Sequence, residues 1–346
     1  MSATATDAAL LRLLEEGRTR AAAIDPDHAV LWDALCAATE GGKRFRPALV
    51  VTTHDALGGT SPDAAAVVGA AVELLHTAFV IHDDVIDGDD VRRGRPNVSG
   101  TFGDRARAAD ADSREASDYG RTAAILAGDL ALSTAVRAVA TSGPPPDVVR
   151  RLLDLFDEAL HTTAAGELAD VRLSLDLAPV SLEESLAMAE QKTSAYSFSL
   201  PLRAGAVLAG ADERTTDLLA EAGRALGVAF QLTDDLVGVF GDPRESGKST
   251  TSDLRSRKQT PLLVHARSTA AWERIRRHVG RDLDDAELRE VRELLTESGS
   301  RHFVEGLAEQ RLAAAHEITD ELGISLDLLT STIIAPRVAG GRELVA

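Results

Sequence analysis

The chain has 346 residues, with 37 Lys and Arg against 55 Asp and Glu, a formal net charge of −18. That length can bury a sizeable core. The charge excludes a broad nucleic-acid-binding or anionic-membrane surface, so any polyanionic ligand must be met by a focused basic site. A single cysteine, Cys36, excludes an intramolecular disulfide and a cysteine metal cluster, and fits a reducing cytoplasm.

The opening "MSATATDAALLRLLEEGRTR" lacks a basic stretch followed by an apolar one and reads as an amphipathic helix, not a secretion signal. From there apolar residues recur at helical spacing almost throughout, aromatic residues make up only 3%, and an all-α chain is expected. Gly, Pro, Ser and Asp punctuate it at 25–28, 41–47, 57–63, 88–100, 141–147, 177–181 and 241–261. Ser61-Pro62-Asp63 combines a capping residue with a first-turn proline and predicts a helix running to Gly88, about 25 residues or roughly 38 Å. Its apolar run is interrupted by Glu73 and His76 and ends in aspartates, which reads as a core helix and not a stable membrane span. The charged segment 104–119, "DRARAADADSREASDY", has no apolar stripe and is expected to be a solvated loop or frayed helix. No linker poor in apolar residues divides the chain, so one domain over 1–346 is expected: a bundle of long helices.

Two carboxylate clusters carry the chemistry. In "IHDDVID", Asp83 and Asp87 share a helix face, with Asp84 beside them. Like charges so placed repel unless compensated, and a hard cation such as Mg²⁺ compensates them while leaving coordination positions for waters and substrate phosphates. The competing reading is an ordinary solvated helix end. In "FQLTDDLVG", Gln231, Asp234, Asp235 and Gly238 follow i, i+3, i+4, i+7 and also share a face. Two such faces opposed across a bundle cavity could hold several Mg²⁺ ions and a diphosphate.

Cations stand beside both clusters. "GGKRFRP" contributes Lys43 and Arg46, "VRRGRP" contributes Arg92 and Arg93, and "GKSTTSDLRSRK" contributes Lys248 and Lys258. The chain has only four lysines, the fourth being Lys192; lysine is a compact point charge suited to a phosphate oxygen. "GDPRESGKST" is not an ATP loop: five residues, not four, separate Gly241 from Gly247, and a helical pattern, not a strand, precedes it.

The ordered series "GGKRFRP", "ELLHTAFVIHDDVIDGDDVRRGRP", "AILAGD", "GELAD", "QKT" and "FQLTDDLVGVFGDPRESGKSTTSDL" resembles the trans-isoprenyl diphosphate synthases, or polyprenyl synthetases, over most of residues 40–262. Residues 263–346 read as helices covering the core. The resemblance implies an all-α isoprenoid-synthase fold around a central cavity and a homodimer. It also implies Mg²⁺, three ions per active site, with Mn²⁺ able to substitute. Asp83, Asp87 and Asp234 match the principal metal ligands, supported by Asp84 and Asp235; Arg92, Lys192, Gln231, Lys248 and Lys258 match contacts to the allylic diphosphate. Lys43, Arg46, His76 and Arg93 match the isopentenyl diphosphate pocket, and Thr193 and Asp170 match residues near the reacting centre. The implied reaction is ionisation of the allylic diphosphate, condensation with isopentenyl diphosphate and loss of a proton.

Two positions depart from the family pattern. Gly238 stands where a third aspartate is common, and Glu167 stands where glutamine is frequent, adding negative charge near the reacting centre. Product length is expected to depend on Phe79, one turn before Asp83, with Leu75 a turn earlier and the small Ala78 in the other gating position. A bulky Phe79 is expected to stop growth early, the competing reading being an ordinary core side chain, and geranylgeranyl diphosphate (C20) is expected, with farnesyl diphosphate (C15) next. A terpene cyclase would have no use for Lys43, Arg46 and His76, and a non-catalytic subunit would usually have lost aspartates. "ELLH" (73–76) and "EALH" (158–161) also have the Glu-x-x-His spacing of a di-iron bundle, but that reading leaves the lysines and aspartate pairs unexplained.

Overall fold

Helical periodicity becomes helix along most of the described residues. The computed structural model describes residues 3–175, 178–241, 252–326 and 330–331. In order these form α1 (Ala3–Ile24), α2 (Pro26–Ala38), α3 (Phe45–Ala56), α4 (Pro62–Asp87), a two-residue antiparallel hairpin (Val91–Arg92 with Arg95–Pro96), α5 (Val98–Arg107), α6 (Ser113–Ala140), α7 (Pro146–Ser174) and α8 (Leu182–Ala189). A π-helical stretch, Glu190–Ser199, then leads into α9 (Leu200–Ala209) and α10 (Glu213–Phe240). After it come α11 (Ser252–Arg255), α12 (Pro261–Arg267), α13 (Trp272–Ile275), a 3₁₀ turn, α14 (Asp285–Glu297) and α15 (Ser300–Glu321). The expected breaks at 25–28, 57–63 and 141–147 each contain a boundary between helices.

Tertiary contacts divide the chain into two compact units, one made of residues up to Phe156 together with Ala204–Asp212, the other of Asp157–Arg203 and the residues from Glu213 onward. The core of the first is α4, packed against α1, α3 and α6. Its Val68, Leu74, Leu75 and Ala78 are fully buried, and each large aliphatic side chain so buried contributes about 1.5–3 kcal/mol. Gly88 ends α4 with φ of 72°, a left-handed cap that glycine adopts without steric cost. By length and composition α4 and α6 could cross a membrane, but 78% of the apolar window of α4 is buried in the structure, as in a core helix.

Ser61 does not cap α4 with its side chain. Its backbone N–H instead donates to Nε2 of the buried His54 (3.2 Å), whose Nδ1 lies 2.8 Å from Asp55. Of the two expectations for 104–119, a loop or a frayed helix, the helix is nearer: apart from 108–112 the segment is helical, split between α5 and α6, and mostly exposed. Asp112 opens α6 with a capping box closed by Glu115, and Phe102, Ala106, Ala116 and Gly120 are buried.

In the second unit α10 packs on the π-helical stretch and on α15. Its core joins Leu232 and Leu236 to Leu254, Leu262, Leu294, Leu295 and Val304.

Candidate active site

The last turns of α4 present the first aspartate cluster. Asp84 is buried, Asp83 half-buried and Asp87 exposed. The hairpin that follows turns the chain back and brings Arg92 onto them: its Nε donates to Asp84 Oδ1 (2.6 Å) and an Nη to Asp83 Oδ2 (3.2 Å). Burial raises the Asp84 carboxyl above the usual range, with Arg92 opposing that rise. Arg92 thus bridges Asp83 and Asp84 and offsets part of their charge, a pairing the sequence did not reveal.

A second group of cations assembles within the same unit. Gly41 and Gly42, both with φ near +78°, make the turn after α2, and the Arg93 guanidinium lies where their side chains would be, 3.1 Å from a Cβ built at Gly41. Arg93 donates from Nη1 to the Glu40 carbonyl (3.0 Å), and its own φ is +52°. Arg46 is buried at the start of α3 and lies over the Phe45 ring at 4.3 Å. Desolvation, then the charges of Arg46, Arg93, Arg92 and Arg44, hold the His76 imidazole well below its usual pKa. His76 is therefore neutral within a group of arginines. Lys43 is exposed in the loop before α3. Arg44 was not singled out from the sequence; it joins this group while bonding Glu73 (2.6 Å) and the Thr39 carbonyl (2.6 Å).

The second unit holds the other cluster. Thr193 Oγ1 donates to Gln231 Oε1 (2.8 Å), and Gln231 Nε2 donates to Asp235 Oδ1 (2.8 Å), the i, i+4 pair expected from the sequence. Asp235 is buried, and burial followed by the neighbouring Asp253 raises its carboxyl well above the usual range. Asp234, one residue earlier, is half-buried. Asp253 was missed by the sequence reading. Its Oδ2 lies 2.6 Å from where a Cβ at Gly238 would stand, so its carboxylate occupies space left by the absent side chain at that position. Lys192 Nζ sits against Asp170 (2.7 Å) and Glu167 (3.0 Å). Lys258 is half-buried after α11, and Lys248 lies outside the described residues.

The donor sets are hard carboxylate oxygens, as Mg²⁺ requires. Among the described residues no three acidic or histidine side chains form a preassembled cage. The Glu-x-x-His pairs are otherwise engaged: Glu73 bonds Arg44, His76 lies among arginines, and Glu158 bonds Arg203 (2.9 Å).

Helical units that carry aspartate pairs together with clustered cations fit an isoprenoid-synthase fold, and the comparisons with known proteins agree. The polyprenyl synthetase family matches residues 29–296, and the chain belongs to that family as a prenyltransferase. It is 35% identical to a geranylgeranyl diphosphate synthase of Sulfolobus acidocaldarius over 65% of this chain and 63% of that relative. To a geranylgeranyl diphosphate synthase of Mycobacterium tuberculosis it is 34% identical over 92% of this chain and 87% of the other. Relatives of 32–34% identity include geranylfarnesyl, farnesyl and nonaprenyl diphosphate synthases. Among solved structures, the geranylgeranyl pyrophosphate synthase of Corynebacterium glutamicum complexed with isoprenyl diphosphate and magnesium matches with a TM-score of 0.86 at 29% identity, over 97% of this chain and 96% of that one.

Proposed function

We propose that this chain is a Mg²⁺-dependent, chain-elongating synthase that joins isopentenyl diphosphate to an allylic diphosphate and releases geranylgeranyl diphosphate. The observation that carries the reading is the first unit's pairing of an aspartate cluster at the end of α4 with arginines gathered around a neutral His76. The isopentenyl diphosphate is assigned to Lys43, Arg46, Arg93 and His76, with the neutral imidazole able to donate one N–H to a phosphate oxygen while guanidinium groups carry the charge. The allylic diphosphate is assigned to Arg92, Lys192, Gln231, Lys248 and Lys258.

Asp83, Asp87 and Asp234, with Asp84 and Asp235 in support, would hold three Mg²⁺ ions, for which Mn²⁺ can substitute. The metal supplies Lewis-acid stabilisation of negative charge on the departing diphosphate. The protein cations do the same through preorganised electrostatics. The allylic C–O bond breaks, its electron pair leaving with the diphosphate. The double bond of isopentenyl diphosphate attacks the resulting cation, and a proton is lost to the released diphosphate. Thr193 and Asp170 stand near the reacting centre in this assignment, and apolar walls keep water from the cation.

Phe79 is half-buried on α4, whereas Leu75 and Ala78 expose nothing. That supports Phe79 as the side chain a growing tail meets first, which favours C20 or, next, C15 over long products. Exposed Ile125, Leu126 and Val136 on α6 offer an apolar face to a second copy, which supports a homodimer. The soluble substrates and the lone cysteine support a cytoplasmic location.

The test is incubation with Mg²⁺, labelled isopentenyl diphosphate and each of the C5, C10 and C15 allylic diphosphates, followed by phosphatase treatment and product sizing. A C20 alcohol is the expected product, and a C15 alcohol favours the shorter reading. Hydrocarbon formed from an allylic diphosphate alone refutes the synthase in favour of a cyclase.

A further inference from the structure

Lys192 is more tightly engaged than a phosphate-binding lysine needs to be. It lies in the π-helical stretch after α8, where the backbone comes so close to α7 that a Cβ at Gly166 would lie 2.2 Å from the Lys192 nitrogen. Glycine at 166 is what allows that approach. The next residue, Glu167, and Asp170 one turn further along α7 then bracket the ammonium. Glu167 Oε1 and Oε2 lie 3.1 and 3.0 Å from Nζ, and Asp170 Oδ2 lies 2.7 Å away. An ammonium has three N–H donors, and three carboxylate oxygens face this one. A phosphate oxygen approaching Nζ must compete with them. The group carries one positive and two negative charges, so it presents a net negative charge to an incoming anion.

Of the two carboxylates, Glu167 is the one that yields. Its contacts are longer, and its side chain is more exposed than that of Asp170, 20% against 10%. A glutamine there would leave the group neutral and still accept one N–H from Nζ.

We propose that Glu167 is a positioning residue that, with Asp170, holds Lys192 in a carboxylate clamp which the allylic diphosphate must open, and so sets the affinity for that substrate. This rests on the assignment of Lys192 to the allylic diphosphate. Binding swings Glu167 off Nζ and puts a phosphate oxygen in its place. The carboxylate then remains a repulsive neighbour of the bound anion, and affinity is held down.

The experiment measures binding of inorganic diphosphate with Mg²⁺ by calorimetry, without turnover, in the wild type, Glu167→Gln, Glu167→Ala and Glu158→Gln. Alanine is the best helix former, so α7 tolerates it at this position. Glu158→Gln removes the same charge from the same helix about 13.5 Å earlier, beyond the ~8 Å screening length at physiological salt. Both Glu167 variants are expected to bind diphosphate about 3- to 10-fold more tightly, the range for removing one charge several ångströms away in a half-solvated site. The gain shrinks as salt rises, KM for the allylic substrate falls alongside, and Glu158→Gln changes affinity by less than twofold. Unchanged or weaker binding in both Glu167 variants overturns the clamp, even if the wild type makes a prenyl product, and so does an equal gain in Glu158→Gln. A wild type that neither binds diphosphate nor elongates any allylic substrate overturns the functional assignment and the clamp with it.

Discussion

Gly238→Asp restores the third aspartate that the family's second cluster often carries, and the structure predicts that it harms this protein. A Cβ at 238 would lie 2.6 Å from Asp253 Oδ2. The Asp253 carboxylate is the end of a flexible side chain, so Gly238→Ala requires only a small rotation. The steric cost is offset by alanine's helix propensity, worth about 1 kcal/mol over glycine, and Gly238→Ala is expected within about 0.5 kcal/mol of wild type. Gly238→Asp adds a like charge roughly 4 Å from Asp253, a repulsion between about 1 kcal/mol in water and about 4 kcal/mol at a surface-type dielectric. Both positions are half-buried, so a value near 2 kcal/mol is expected. Proximity to the negative end of α10 adds a few tenths more.

Urea unfolding followed by circular dichroism in metal-free buffer at pH 7 measures this. Gly238→Asp should unfold about 2 kcal/mol more readily than Gly238→Ala, and adding Asp253→Asn should restore most of the loss. Equal stability of the Asp and Ala variants, or no recovery with Asp253→Asn, refutes the reasoning.

Three more outcomes are expected. His76 has a depressed folded-state pKa, so the unfolded chain binds its proton first as pH falls. That contribution to stability is present above the ordinary histidine pKa and is lost as pH drops from there through the folded value; His76→Gln should flatten the stability curve in that window, read from unfolding midpoints across pH. Gly166→Ala drives a Cβ into the Lys192 backbone, which cannot swing aside, and should cost about 1–3 kcal/mol or more in thermal or urea unfolding. Phe79→Ala should lengthen the product by one or more C5 units, seen by sizing the dephosphorylated alcohols; an unchanged distribution removes Phe79 from control of length.

Much of the helical layout was legible because apolar periodicity and Gly/Pro breaks act locally. The helix in segment 104–119 was hard to read because what it buries, Ala106 and Ala116, is small and gives little hydrophobic signal. Asp112 with Glu115 three residues later was the readable sign of a new helix. The cap of α4 escaped for a different reason: His54 stands seven residues before Ser61, and nothing in the spacing says that its ring will accept that N–H. At the candidate site the clusters were visible as motifs, but their pairing was not. Arg92 could be assigned to a phosphate, whereas its contacts with Asp83 and Asp84 depend on the hairpin geometry. Asp253 and Gly238 are 15 residues apart in the sequence, and only the structure puts one in the space vacated by the other.

The end of α4 has a consequence for anyone trying to make this chain hardier. Its final turn sets carboxylates such as the exposed Asp87 at the pole of the helix where unpaired carbonyls already gather partial negative charge, so they work against folding except where a cation offsets them, as Arg92 does at Asp84. A directed-evolution campaign scored only on heat resistance, in buffer lacking metal and diphosphate, would reward replacing them. The survivors would be sturdier proteins with an emptied cation site, so selection for robustness should be run with Mg²⁺ and a diphosphate present.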